Sequence, residues 1–207
     1  MRYLESAHLL PSLLDAKPSR KLMEAIALSA EVCGQPLSSA AVEMLAGDLA
    51  AFDEAQVLSA LGRCRLELTG PLKLADVLVR IEDGRPDAEE AWNMIPQDES
   101  GSVVWTEEMA RAWGEILSQL RAGDMAAARS AFRQAYEKRV LEARSRQQPV
   151  RWTPSLGSDA AGRERVLRDA LARRRLPPDH VADLLPSHGI SAEAKDVLAQ
   201  LKIKRLH

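Results

Sequence analysis

The chain has 207 residues, 46% of them hydrophobic and 28% charged, with a formal net charge of −2. Those proportions exclude a wholly disordered chain, and no apolar run approaches the roughly 20 residues that a bilayer span requires. With two Phe, two Tyr and four Trp, the core has to be built mainly from Leu, Ala, Val, Ile and Met, which favours helix packing over a β-sandwich.

The first residues carry Leu9, Leu10, Leu13 and Leu14 and read as an apolar strap over the helices that follow. A membrane-surface role competes with that reading, but few basic residues flank the segment. Met1 to Glu5 contain no signal-peptide core, so the expected location is cytoplasmic. A helix beginning near Ser19 turns Leu22, Met23, Ile26, Ala30 and Cys33 inward and ends at Gly34-Gln35-Pro36. Ser38 caps the next helix, with Leu37 and Val42 at staple spacing; Asp53 caps the third, with Gln56 at the capping-box position. That third helix presents Val57, Leu58, Leu61 and Cys64 before Thr69-Gly70-Pro71 breaks it, and a shorter one holds Leu74, Val77, Leu78 and Ile81 up to Gly84. Short connections and single apolar stripes predict that these four close into a small bundle.

Asp87 and Glu90 form a capping box ahead of Ala91, Trp92, Met94 and Ile95. Residues 96–104 read as a polar loop, and Thr106 caps a helix that Gly123 ends. Asp124 caps a longer helix through Arg146, with Met125, Ala128, Phe132, Tyr136, Val140 and Leu141 on one stripe, giving a helical hairpin about Gly123-Asp124. Trp152 to Gly157 read as a turn-rich connector. A helix over Asp159–Arg175, stopped by Pro177-Pro178, then short helices at Asp179–Leu185 and Ser191–Leu201 and a basic tail complete the chain. No strand pattern of useful length and no fixed-period repeat are found. The expected fold class is therefore all-α: an N-terminal helical bundle with its strap (1–84), a helical hairpin segment (85–148) and a basic C-terminal helical arm (149–207).

Charge is unevenly distributed. From Glu82 to Asp124 eleven acidic residues face three arginines; from Arg129 to Arg175 thirteen Lys and Arg face five acids. Such a split steers and selects partners. Arg151, Trp152, Arg163, Arg165, Arg168, Arg173, Arg174 and Arg175 form the candidate nucleic-acid set. Guanidinium groups suit phosphates, and Trp152 is available to stack on an unpaired base. The competing reading is a solvated run, or one neutralised by the acidic segment. Asp48, Glu54, Arg63 and Arg65 form a mixed-charge rim, the candidate protein-binding edge. Trp92, Trp105 and Trp113 are assigned to packing rather than to a ligand box.

Chemistry has no comparable signature. His8, His180, His188 and His207 are far apart, and His180 with Asp183 reads as a surface pair. Neither a phosphate loop nor a nucleophile elbow is present. Glu89-Glu90 and Glu107-Glu108 fall in first helical turns, where the helix dipole accounts for them. Cys33 and Cys64 read as reduced, buried thiols. The expectation is a non-enzymatic protein without cofactor or metal.

The run Gly34-Gln35-Pro36-Leu37-Ser38, Gly47-Asp48-Leu49, Val57-Leu58-Ser59-Ala60-Leu61 and Pro71-Leu72-Lys73-Leu74-Ala75-Asp76-Val77 resembles the N-terminal helical module of phage replication-region proteins, including loaders and inhibitors of replicative helicases. Asp87-Ala88-Glu89-Glu90-Ala91-Trp92, Val104-Trp105-Thr106-Glu107-Glu108-Met109, Ala122-Gly123-Asp124 and Trp152-Thr153-Pro154-Ser155-Leu156-Gly157 extend the resemblance to an uncharacterised phage and prophage family, over about residues 20 to 175. The loader similarity is confined to residues 20–83. What the resemblance implies is an accessory protein in the host cytoplasm that binds a replication component, in the first place a replicative helicase, with possible single-stranded DNA contact through the arm. Two alternatives stay open: a nucleic-acid-binding regulator using the arginine-rich helix, and a phage-encoded inhibitor of a host defence or other complex that mimics a surface with its acidic segment.

Overall fold

The computed structural model describes residues 18–96 and 98–185. Among them are ten helices and a two-stranded antiparallel ladder, an all-α fold. The strap around Leu9–Leu14, the helix at Ser191–Leu201 and the basic tail lie outside the described residues. The chain divides into two compact units: the residues up to Asp83 together with Leu141–Gln148, and Gly84–Val140 together with the residues from Pro149 on.

The first unit holds α1 (Arg20–Val32), α2 (Ser39–Leu49), α3 (Glu54–Glu67) and α4 (Leu74–Arg80). Each start is satisfied locally, as orphan amides at a helix N-terminus require. Ser19 Oγ accepts from the Leu22 amide at 3.0 Å, Ser38 Oγ from Ala41 at 3.3 Å and Asp53 Oδ1 from Gln56 at 3.1 Å. At α4 the Asp76 carboxylate accepts from the Lys73 amide at 3.0 Å. α1 stops because Gly34 takes φ +88°, a left-handed value, so that Gln35 N–H reaches Ala30 O at 3.0 Å. Leu22, Ile26, Ala30, Ala46, Leu49, Val57, Leu61, Cys64, Val77, Leu78 and Ile81 make the bundle core. Each fully buried aliphatic side chain contributes about 1.5–3 kcal/mol.

The end of a later helix completes this unit. Arg144 is buried and donates to Leu78 O (2.9 Å), Val79 O (3.2 Å) and both oxygens of Asp83 (2.9 and 3.1 Å). It thereby adds donors to carbonyls in the last turn of α4, where Leu78 O otherwise accepts only a long bond from the Ile81 amide at 3.4 Å.

The second unit holds α5 (Ala88–Met94), β1 (Val103–Thr106), α6 (Glu107–Glu115), α7 (Leu117–Arg121), α8 (Met125–Ser145) as far as Val140, β2 (Trp152–Ser155), α9 (Ala160–Ala172) and α10 (Pro178–Leu184). Two expectations need correction here. The end of the expected polar loop and the expected connector are strands: Val103 pairs with Ser155, Val104 with Pro154, Trp105 with Thr153 and Thr106 with Trp152. A two-stranded ribbon has a free edge on each strand, so Pro154 is tolerated despite its missing N–H. The helix expected to run from Thr106 to Gly123 breaks at Ile116, which is buried and closes an i→i+3 bond on Trp113 O at 3.2 Å.

β1 organises this unit because alternate residues face opposite ways. Trp105 packs with Ala91, Met109, Ala112, Ile116, Phe132 and Tyr136. Val104 packs on the other side with Leu167, Leu171, Leu176, Val181 and Leu185. α9 and α10 are thus joined to β1 through a shared apolar cluster, and the expected basic arm is packed within the unit as far as Leu185. The expected stripe on α8 also divides. Ala128, Phe132, Tyr136 and Val140 enter this core, Leu141 packs in the bundle core of the first unit, and Met125 is 56% exposed.

Candidate functional site

On the second unit, α5 and the N-terminal half of α8 line an open groove of about 540 Å³, bounded by Glu89, Trp92, Met125, Ala126, Arg129, Ser130 and Arg133. Its position follows from helical period. Residues 128, 132 and 136 face the core, so the parallel row 125, 129 and 133 runs along the groove one residue further round. Trp92 is held from behind by an aromatic row. It meets Phe132 edge-on (centroids 5.4 Å apart, 60° between planes) and Trp113 at 6.2 Å, while Phe132 stacks on Tyr136 at 5.8 Å. Tyr136 in turn donates to Pro86 O at 2.7 Å. Glu89 is ion-paired with Arg129 at the rim. Arg133, one turn along, is exposed and makes no ion pair among the described residues.

Of these positions Trp92, Met125 and Glu89 stand out in the sequence; the first two read there as packing residues and Glu89 as a first-turn carboxylate explained by the helix dipole. The Met125-Arg129-Arg133 spacing on an expected helix was the available signal. It was masked because Met125 was placed on the core stripe. The groove carries one carboxylate, Glu89, and Arg129 holds it. Among the described residues, no group of three or more His, Cys, Asp and Glu is arranged to hold a metal ion.

The predicted arginine set does not form one bare surface. Arg175 lies over the Trp152 ring at 4.1 Å and also reaches Glu90 Oε1 at 3.3 Å. Arg173 pairs with Asp169 at 3.0 Å and Glu90 at 3.4 Å. Arg168 pairs with Glu164 at 2.6 Å, and Arg163 donates to Gly157 O at 2.6 Å. Arg151, Arg165 and Arg174 are exposed and make no ion pair among the described residues. Acidic and basic segments also meet at Glu89–Arg129 and Glu115–Arg139. These pairs are mostly exposed, and each contributes about 0–1 kcal/mol. Their larger effect is to shrink the local field that a phosphate backbone would meet. The Trp152 ring is covered on one face by a guanidinium, so any base stacking there uses what remains.

The predicted protein-binding rim is likewise divided. Asp48 is exposed on α2, and its carbonyl accepts from Gln147 Nε2 at 3.1 Å; Glu54 sits in the first turn of α3. Arg63 and Arg65 lie about 14–17 Å further along that helix, from its rise per residue. Arg63 pairs with Glu82 at 3.1 Å and Glu67 at 3.5 Å, and Arg65 donates to the buried Ser29 Oγ at 2.8 Å. A hydrogen bond from Arg80, reinforced by Arg63, holds the Glu67 carboxyl below its ordinary range. Large apolar side chains are also exposed on α1 and α3 of this unit. Leu28 (60%) and Val32 (64%), one turn apart on α1, and Leu66 (87%) on α3 are exposed.

Cys64 is fully buried, and that burial pushes its thiol above the ordinary value. Cys33 is half-buried, and both are free thiols. His180 and Asp183 are exposed on α10. No described helix is long and apolar enough to cross a membrane. No protein-family model, curated protein or solved structure matches this chain.

Proposed function

We propose that this protein is a non-enzymatic accessory factor that binds a replication component, specifically a replicative helicase of a phage or its host, as loader or inhibitor. The observation that carries the reading is the face of the first unit. Leu28, Val32 and Leu66 stand in solvent on helices whose inward faces already fill the core. An apolar side chain moved from water into an interface contributes about 1.5–3 kcal/mol when fully buried, and Leu28 and Val32, one turn apart, offer two such side chains on one helix face. The resemblance of residues 20–83 to the loader and inhibitor module names the partner class.

The test is size-exclusion chromatography or pull-down of the full chain with a purified replicative helicase. Binding at micromolar concentration or tighter is expected, weakened at least about tenfold by Leu28→Ser with Val32→Ser. Absence of binding at micromolar concentration removes the reading.

A second reading, nucleic-acid binding, rests on Arg151, Arg165 and Arg174, the exposed members of the arginine set that make no ion pair among the described residues. Three phosphate contacts give a shallow salt dependence, a log–log slope of about −2 to −3 for single or double strands. A gel shift across salt concentrations measures that slope, and an absence of binding at low salt disposes of this second reading.

A further inference from the structure

We propose that the groove over Trp92 binds an extended acidic peptide segment that carries an apolar side chain, supplied by a partner protein. This site is on the second unit and does not depend on the helicase reading, which rests on the first.

The floor and the wall call for different parts of one ligand. Trp92, Met125 and Ala126 supply apolar surface, and Met125 alone is 56% exposed. An apolar side chain laid there removes both its own surface and that of Met125 from water. Met is suited to such contacts because its unbranched, polarisable side chain adapts to the shape placed on it. Trp92 does not have to be ordered on binding, since Phe132 and Trp113 already fix its ring, and a preformed anchor saves entropy. The volume of about 540 Å³ lies within the range of ligand clefts.

Charge then selects the ligand's second feature. The lining carries two cations, Arg129 and Arg133, against the single anion Glu89. Glu89 occupies Arg129, which leaves Arg133 as the guanidinium without an ion pair among the described residues, next to the Ser130 hydroxyl on the same helix. A guanidinium beside a hydroxyl offers donors to a carboxylate. A nucleic-acid strand fits less well. Glu89 repels phosphate and carboxylate alike, but a sugar-phosphate backbone gains nothing from Met125 and Ala126, where an apolar side chain does.

The experiment is a display selection of random dodecapeptides on the immobilised full-length chain. Fluorescence anisotropy of the enriched peptides, and of fluorescein-labelled oligo-dT, follows. Enrichment of Asp or Glu next to Leu, Phe or Trp is expected. Arg133→Glu should weaken the selected peptides about tenfold or more, and Met125→Gln about threefold. Glu89→Gln should act in the opposite direction and tighten binding about threefold, because it releases Arg129 for the ligand. A purely structural role for Glu89 predicts no gain. The proposal is overturned by an enriched pool with no acidic bias, by no enriched peptide at all, or by affinities that Arg133→Glu leaves unchanged while the circular dichroism spectrum is wild-type. It is also overturned if oligo-dT alone binds and Arg133→Glu abolishes that binding, which assigns the groove to nucleic acid.

Discussion

Replacing Arg144 by Met tests how the end of α8 is held in the first unit. The substitution keeps the length of the aliphatic stem and its helix propensity and deletes only the guanidinium. Four hydrogen bonds disappear: two to the Asp83 carboxylate at 2.9 and 3.1 Å, and two to Leu78 O and Val79 O at 2.9 and 3.2 Å. The Arg144 and Asp83 side chains are only 7% and 11% exposed, so water cannot readily replace the lost donors. Breaking one partner of a buried pair costs about 3–5 kcal/mol. Neither side chain is completely buried, which places the expected loss at the lower end, about 3 kcal/mol. With a urea dependence of about 2 kcal/mol/M, the unfolding midpoint followed by circular dichroism should fall by about 1.5 M. Arg63→Met is the control. Its partner Glu82 is 78% exposed, and the loss there should be about 0.5 kcal/mol. A double-mutant cycle with Asp83→Asn should return a coupling of about 2 kcal/mol. If Arg144→Met costs less than about 1 kcal/mol, or no more than Arg63→Met, the argument from desolvated donors is wrong.

Further outcomes are expected. A Cβ at Gly157 would sit 2.1 Å from Ser100 O, so Gly157→Ala should destabilise the second unit by about 1–3 kcal/mol. Gly47→Ala on α2, with nothing within 4 Å, should instead stabilise by about 0.5–1 kcal/mol, and urea midpoints compare the two. Tyr136→Phe removes the buried bond to Pro86 O and should cost about 1–2 kcal/mol, visible as a lower melting temperature with an otherwise unchanged spectrum. Burial raises the Cys64 thiol in the folded chain, so its contribution to stability is complete below the ordinary thiol value of 9.0 and is lost as pH rises beyond it. Unfolding midpoints at pH 8 and pH 10 should therefore converge in Cys64→Ala. In the native wild type, alkylation should modify half-buried Cys33 well before Cys64.

How far the sequence carries this protein can be seen residue by residue. Helix starts were legible because capping is local. Ser38, Asp53, Asp87, Thr106 and Asp124 each accept the backbone amide three residues ahead, as their side-chain chemistry requires. The bundle stripes of α1 to α4 were legible for the same reason, since a 3.6-residue period is set within the helix that shows it. What stayed hidden depends on partners far along the chain. Val103–Thr106 is four residues long and becomes a strand only because Trp152–Ser155 lies beside it, and so short a segment has no decisive pattern of its own. The assignment of Met125 to solvent and of Leu141 to the other core follows from which surfaces α8 meets, not from its period. The charge split was plain in the composition, yet whether those charges face water or each other is a question of placement. The pairing of Glu90 with Arg173 and Arg175, more than eighty residues away, is decided only when the chain is folded. Local backbone chemistry thus determined where the helices begin and which faces are apolar. Only the tertiary structure decided which charges remain available to a partner, because burial and ion pairing are properties of neighbours in space.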